Sequence, residues 1–448
     1  MDNKYILRDF IKYTILNIFG QMIYSLYTMA DTFFVSCKLG TTGLTALNLA
    51  FPVFCIINGT GLMLGMGAAT KYSIYKSRGK DIKANHIFTN AFYLTIFFAI
   101  IFLTAGLLFS SRLTTLLGAD NSVFEPTHTY LFVMLMFSPA FLLNNLLQCF
   151  VRNDNAPTLS AAAMATGSIA NIVLDFIFIF PLNMGIFGAI FATGLAPVIS
   201  MFIISVHFIK KRNGFHLIVI NPEKKYIKTI LSAGFSPFLT EAASGIVMFL
   251  FNFIILGIAG NLGVAAFGIV SVISLVVTAI YTGLSQGIQP LISKNHGLGN
   301  TDEIKVIQRY SIIALFILSS AIYSFIYFKS PFIASVFNSE SDQMLNELAV
   351  NGLKLYFLAC PFIGFNIILS TYFISTERVL PAQVISLLRS SIILIPAAFI
   401  MSYIFKLNGV WYSYPATEFI VASAGLIYFK FGNIFKIKKI LKRNKCIY

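Results

Sequence analysis

Apolar runs of about 20 residues, the length that crosses a bilayer as one helix, alternate with short polar breaks along almost the whole chain. Such runs fall near 11–35, 45–72, 87–109, 129–150, 158–180 and 186–209. A basic stretch, 210–228, interrupts them. Six more follow near 229–258, 264–292, 310–328, 347–373, 382–404 and 409–430. The pattern predicts an all-α membrane protein of twelve transmembrane helices. Its domains are an N-terminal six-helix lobe (1–209), a cytoplasmic basic linker (210–228), a C-terminal six-helix lobe (229–430) and a basic cytoplasmic tail (431–448). The charged N-terminus runs into an apolar segment longer than the core of a cleaved leader, so the first helix is expected to be retained.

The two lobes carry an internal repeat. A shift of 220 positions brings Gly40-Thr-Thr-Gly43-Leu-Thr-Ala46 onto Gly260-Asn-Leu-Gly263-Val-Ala-Ala266, and Gly67, Ser73 and Gly79 onto Gly287, Ser293 and Gly299. Asn155-Ala-Pro157 falls opposite Val379-Leu-Pro381. Six helices per repeat make the halves parallel, related by an axis along the membrane normal.

Composition agrees. Of 448 residues, 57% are hydrophobic and only 11% charged, against roughly 25% charged in soluble domains. The net charge of +15 is accounted for by short loops that orient the chain, not by a nucleic-acid surface. With the N-terminus inside, the inner loops hold most Lys and Arg, including Lys71, Lys76, Arg78, Arg152, Lys210, Lys211 and Arg212, while the outer loops hold only Lys38, Arg112, Lys329 and Lys406. Both termini are therefore expected in the cytoplasm of a multi-pass protein of the cell membrane. The five cysteines, Cys37, Cys55, Cys149, Cys360 and Cys446, have no metal or redox spacing.

Ionisable side chains inside a bilayer cost about 2.5–3.5 kcal/mol each on insertion scales, so each one is a candidate for function. Asp31 lies near the outer end of the first helix and Asp175 near the outer end of the fifth. Asn171 shares a helix face with Asp175, and Thr193 lies at a similar depth in the sixth. Spacing does not decide whether the first helix neighbours the fifth and sixth. If they converge, two carboxylates, an amide and a hydroxyl make a hard-oxygen cage suited to Na⁺. The same pair suits H⁺, because two close carboxylates in low dielectric share a proton rather than both ionising. Glu241, mid-way along the seventh helix, is an anionic contact for a cationic substrate or a second proton site, with plain interhelix hydrogen bonding as the alternative. Lys354 is expected to snorkel. Arg389 and Glu418 are expected to form a buried ion pair that serves structure more than substrate. Pro52, Pro139, Pro197, Pro237, Pro361, Pro396 and Pro415 mark places where helices bend.

The stretches LYTMADTFFVSCKLGTTGLTALNLAFPV and GSIANIVLDFIFIFPLNMGIFGAIFATGLA resemble helices 1–2 and 5–6 of the multidrug and toxic compound extrusion (MATE) family. The resemblance covers nearly the whole chain and is nearest its MepA-like branch. It implies a V-shaped pair of lobes that alternately open to either side, exporting cationic or aromatic drugs and dyes in exchange for Na⁺ or H⁺. The family's first-helix acid falls on Asp31, its N-lobe cation site adds Asn171, Asp175 and Thr193, and its seventh-helix acid falls on Glu241. Some members place another acid in the tenth helix, where this chain has Asn366. No cofactor beyond the coupling ion is implied, and the chain is expected to act as a monomer in the lipid bilayer. A lipid-linked sugar flippase on a related fold is the main alternative. An intramembrane enzyme is less expected, since His86, His128, His207, His216 and His296 all fall near loops or helix ends.

Overall fold

The computed structural model describes residues 3–338 and 342–444. Cys446 and the last four residues of the basic tail lie outside them. Apart from short connections the described chain is helical. The elements are α1 (Asn3–Ser77), α2 (Asp81–Leu116), α3 (Phe124–Met136), α4 (Ser138–Asn153), α5 (Pro157–Ile179) and α6 (Gly185–Ile209), then α7 (Lys224–Leu298), α8 (Thr301–Phe337), α9 (Gln343–Tyr356), α10 (Cys360–Ser375), α11 (Val379–Leu387) and α12 (Leu394–Asn444).

Eight uninterrupted helical stretches among the described residues are long and apolar enough to cross a membrane, or nine if α3 and α4, bent by 47°, count as one. Twelve separate helices are therefore not what a count of unbroken stretches returns. The difference arises where the chain doubles back without leaving helical hydrogen bonding for more than one residue. A straight 75-residue helix would be about 110 Å long, but α1 has a non-helical residue at Gly40 (φ 61°, ψ −147°). Beyond it, a Cβ on Gly43 would lie 2.8 Å from Val35 Cγ1, eight residues back, whereas eight residues of straight helix span about 12 Å. α7 repeats the device at Gly260 (φ 62°, ψ −157°), and a Cβ on Gly263 would lie 2.8 Å from Ile255 Cγ2. α12 turns at Lys406 (φ 54°, ψ −135°), bringing Gly409 against the Met401 carbonyl. Glycine adopts such a positive φ at little cost; the lysine is the exception.

Left-handed residues recur in register through the two halves: Gly40 and Gly260, Gly79 and Gly299, Asn155 and Glu377, Asn183 and Lys406. Buried apolar clusters also divide between the halves, with two centred on α1–α6 and the largest on α7–α12, the last joined by Phe10 and Tyr13 from the start of α1.

The prolines act unevenly. Pro139 follows the α3–α4 bend at Phe137, and Pro361 follows the 3₁₀ turn Phe357–Ala359. Pro396 follows a π turn at Leu388–Ile392, where Ile393 N–H donates to Leu388 O at 3.0 Å. Pro52, Pro197, Pro237 and Pro415 lie inside continuous helices.

The linker is shorter than expected, because Lys224–Lys228 already belong to α7. The remaining stretch is strapped to the first half. Gly214 N–H donates to Asp154 Oδ2 at 2.6 Å, and that carboxylate also holds Tyr72 OH at 2.5 Å and His207 Nε2 at 2.9 Å. Phe215 is fully buried among Tyr72, Phe88 and Phe150. Further along, backbone N–H groups of His216, Ile218 and Glu223 donate to Asn85, Thr89 and Asn90.

At the end of the bundle that carries this strap the two halves touch backbone to backbone. A Cβ on Gly234 would collide with Met63 O, and one on Gly67 with Ile230 O. Gly283, Gly287 and Gly297 are similarly closed in by Ile18, Thr14 and Ile74. At the opposite end, Cβ atoms on Gly257, Gly260 and Gly268 would meet nothing within 4 Å. Gly234→Ala should therefore cost about 2–3 kcal/mol by overpacking, while Gly257→Ala should be neutral or stabilising. Thermal midpoints of the two variants in detergent check this, and equal midpoints would refute the close approach.

Candidate functional site

The first half brings Asp31, Asn171, Asp175 and Thr193 together. α5 packs on α6 so closely that a Cβ on Gly167 would meet Ala196 O at 2.8 Å, and α1 reaches α5 where Gly20 faces Met164. All four side chains are buried, Asp175 and Asn171 completely and Asp31 at 5% exposure. The Asn171 amide, turned so that both its ends are satisfied, donates to Asp175 Oδ2 at 3.0 Å and accepts from Thr193 N–H at 3.1 Å. Asp31 lies within electrostatic reach of Asp175. Asp31 Oδ1 and Asp175 Oδ1 are buried with no hydrogen-bond partner among the described residues. Leaving such an oxygen without a donor is costly, so this pair is chemically suited to take a proton or a small cation. Tyr27 and Tyr130 stand within reach of both carboxylates. Tyr27 sits four residues before Asp31 and so shares its helix face, a signal present in the sequence; nothing in the sequence points to Tyr130.

Asp31, Tyr27, Tyr130 and Thr193 form one wall of a cavity of about 290 Å³ between the halves, and Tyr356, Tyr414, Arg389 and Glu418 form another. Arg389 Nη2 and Nε lie 2.7 Å and 3.1 Å from Glu418 Oε1, and Asn366 Nδ2 donates to Glu418 Oε2 at 2.7 Å. The π turn carries Arg389, and such turns re-aim side chains at functional sites. The rings of Tyr356 and Tyr414 stack at 4.5 Å. The second half therefore offers a compensated pair where the first offers two acids without a cation. Lys354 stands clear of this site, with Nζ 5.1 Å from the Tyr327 ring centre.

Glu241 lines a smaller cavity of about 90 Å³ nearer the strapped end, together with Asn58, Asn144, Asn145, Gln148 and Arg152. Asn145 donates to Asn58 at 2.9 Å, and Asn58 in turn bonds Glu241. Arg152 was expected in a polar loop. It is instead 1% exposed, because α4 runs to Asn153 and its last turn lies between α1 and α7.

Polar contacts also join the halves at the strapped end. Asn153 and Gln289 exchange hydrogen bonds of 2.9 Å and 3.1 Å, and Gln289 donates to Thr70 at 3.0 Å. Glu377 pairs with Lys71 across the halves and lies 3.4 Å from His296 and 3.8 Å from Arg78. The His296 bond, then Lys71 and Arg78, hold its carboxyl down to about 2 against the opposing effect of burial. A depressed value means this contribution is complete above the ordinary 4.5 and lost only as pH falls toward 2.

These apolar helices, stacked around polar cavities, make a multi-pass membrane protein. The MatE family profile matches residues 17–177 and 237–400, so the chain belongs to the MATE family. It is 26% identical over 410 residues to the Multidrug export protein MepA of Staphylococcus aureus, covering 91% of this chain and 90% of that one. It is 22% identical over 424 residues to the protein of the same name from Staphylococcus saprophyticus, covering 94% and 93%. In fold it is similar to a MATE structure in complex with MaL6 (TM-score 0.91, 24% identity, 98% of each chain). It is also similar to a MOP superfamily transporter from Pyrococcus furiosus (TM-score 0.89, 24% identity, 96% of each chain).

Proposed function

We propose that this chain is a secondary active multidrug exporter that exchanges cationic or aromatic small organic molecules for Na⁺ or H⁺ by alternating access. The observation that carries the reading is the pair of orphaned carboxylate oxygens, on Asp31 and Asp175, beside a cavity lined with tyrosines. Asn171 and Thr193 complete the cation site. Tyr27, Tyr130, Tyr356 and Tyr414 present faces that attract flat cations, and Glu241 adds an acid on the path inward. The twofold register of left-handed residues supports two lobes, 1–209 and 229–430, with the three doubled stretches each supplying two crossings, for twelve in all. The lysine and arginine bias supports termini in the cytoplasm, and the close glycine contacts at the strapped end, against open space at the other, support a V that opens outward. Arg389 is the only Lys or Arg lining the larger cavity among the described residues, and Glu418 neutralises it. That disfavours an anionic lipid-linked sugar as cargo and leaves the second lobe without a cation site of its own.

Coupling requires that ion and substrate prefer different states, since equal affinity shifts nothing. One cation crossing 100 mV supplies about 2.3 kcal/mol, and a tenfold ion gradient adds about 1.4 kcal/mol. Together they sustain a gradient of several hundredfold for an uncharged substrate. A monocationic substrate cancels the electrical part. Dye efflux from cells, with Na⁺ and pH gradients imposed separately, tests the reading. One of the two gradients should accelerate efflux at least about tenfold, and efflux indifferent to both would overturn ion coupling.

A further inference from the structure

We propose that the smaller cavity is the inward leg of the coupling ion's route, and that Arg152 is the electrostatic stopper at its strapped end. The inference rests on the reading of Asp31 and Asp175 as the cation site. Tyr27 and Thr193 border both cavities, so one layer of side chains separates the small cavity from the carboxylates. Thr193 belongs to that site through Asn171. Between this layer and Arg152 the lining is oxygen-rich: Gln21, Asn144, Ser168 and Ser200 are neutral, and Glu241 is the one carboxylate among the described lining residues. The neutral groups pass a monovalent cation without trapping it, and Glu241 offers it one acidic resting point on the way.

Arg152 differs from Arg389, whose side chain is largely enclosed and paired with Glu418, in having no carboxylate partner among the described residues. Its guanidinium bonds Gln286 Oε1 at 2.6 Å, Asn17 Oδ1 at 3.3 Å and Cys149 Sγ at 3.6 Å, all neutral, and its Nε has no partner. A full positive charge thus faces a cavity in low-dielectric surroundings, where repulsion of another cation is far stronger than in water. The Gln286 bond crosses from α4 to α7, from one half to the other. Parting the halves at this end breaks that bond and frees the guanidinium to turn aside. The stopper is therefore set when the strapped end is shut and released when it opens, which prevents the ion from slipping through without substrate.

Purified full-length protein in liposomes, with a Na⁺- or pH-sensitive dye inside and an imposed ion gradient but no organic substrate, reads this leak directly. Arg152→Gln should leak at least tenfold faster than the native protein. Asn144→Asp, which adds a second carboxylate to the cavity that Glu241 already lines, with little change of shape, should also leak faster, and it keeps the test alive should Arg152→Gln fail to fold. Arg152→Lys, which keeps the charge, should stay within twofold of native. Native-like leak in both Arg152→Gln and Asn144→Asp would overturn the proposal. So would equal leak in Arg152→Gln, Arg152→Lys and Gln286→Ala, since the hydrogen bond and not the charge would then matter. Adding Asp31→Asn and Asp175→Asn separates the two readings. A leak that persists keeps Arg152 as the stopper and removes the carboxylates from the route. A tight Arg152→Gln protein whose coupled exchange still needs Asp31 does the reverse.

Discussion

Replacing Asp31 and Asp175 together with asparagine is expected to lower ion-driven efflux by at least about a hundredfold while leaving substrate binding within a few-fold of native. Asparagine keeps the shape of each side chain but cannot exchange a proton and binds a bare cation far more weakly than a carboxylate does. The differential affinity that lets an ion bias one conformation over the other then disappears, and with it the conversion of gradient into transport. Initial efflux rates under an imposed gradient, set beside equilibrium dye binding to the purified variant, separate coupling from recognition. Efflux that stays gradient-driven in the double variant would remove these residues from the mechanism.

Glu418→Ala is expected to destabilise the protein by roughly 3–5 kcal/mol, the usual cost of stranding a buried charge. Glu418 is 1% exposed and is the acceptor for both Arg389 and Asn366, so its loss leaves the guanidinium without its counter-charge beside the larger cavity, while the Asn366 amide keeps the backbone carbonyl of residue 418 at 3.0 Å. The stranded charge would also repel cationic substrates. Replacing Arg389 and Glu418 together by methionine should recover most of the stability, because apolar isosteres of a buried pair are often no worse than the pair. Denaturation midpoints of the two single variants and the double variant complete the cycle. A Glu418→Ala protein as stable as native would refute the structural role.

What the sequence reveals here depends on how far apart the cooperating residues lie. Asn171 and Asp175 are one helical turn apart and Thr193 follows one hairpin later, so spacing alone places them at one depth. That Asp31 joins them depends on α1 lying against α5, a packing choice that periodicity does not encode. Gly40 and Gly260 announce their reversals because a positive φ selects glycine. Lys406 makes the same reversal with a residue that rarely adopts it; the break between the apolar runs 382–404 and 409–430 marks the turn, but not which residue takes the positive φ. Arg152 looks like a loop charge because it stands one residue from the end of α4; only the crossing of α1 and α7 over that end encloses it. The π turn at Leu388–Ile392 is not readable: Pro396 marks a bend nearby, but not the hydrogen-bond pattern that the helix adopts before it.

The strap bears on how torque passes between the halves. Residues 214–223 are bonded to α1, α2 and the α4–α5 corner through backbone and side chains alike, and Glu223 is held twice, by Asn90 and by His86 at 2.6 Å. The covalent tie therefore has almost no slack, and its free length shrinks to the first residues of α7, where Tyr226 still leans on His86. In the proposed alternation of the two halves, such a short tie would act as a fulcrum beside the glycine contacts rather than as a tether that limits travel, and the arc swept by the second half would be set by surfaces rolling on one another.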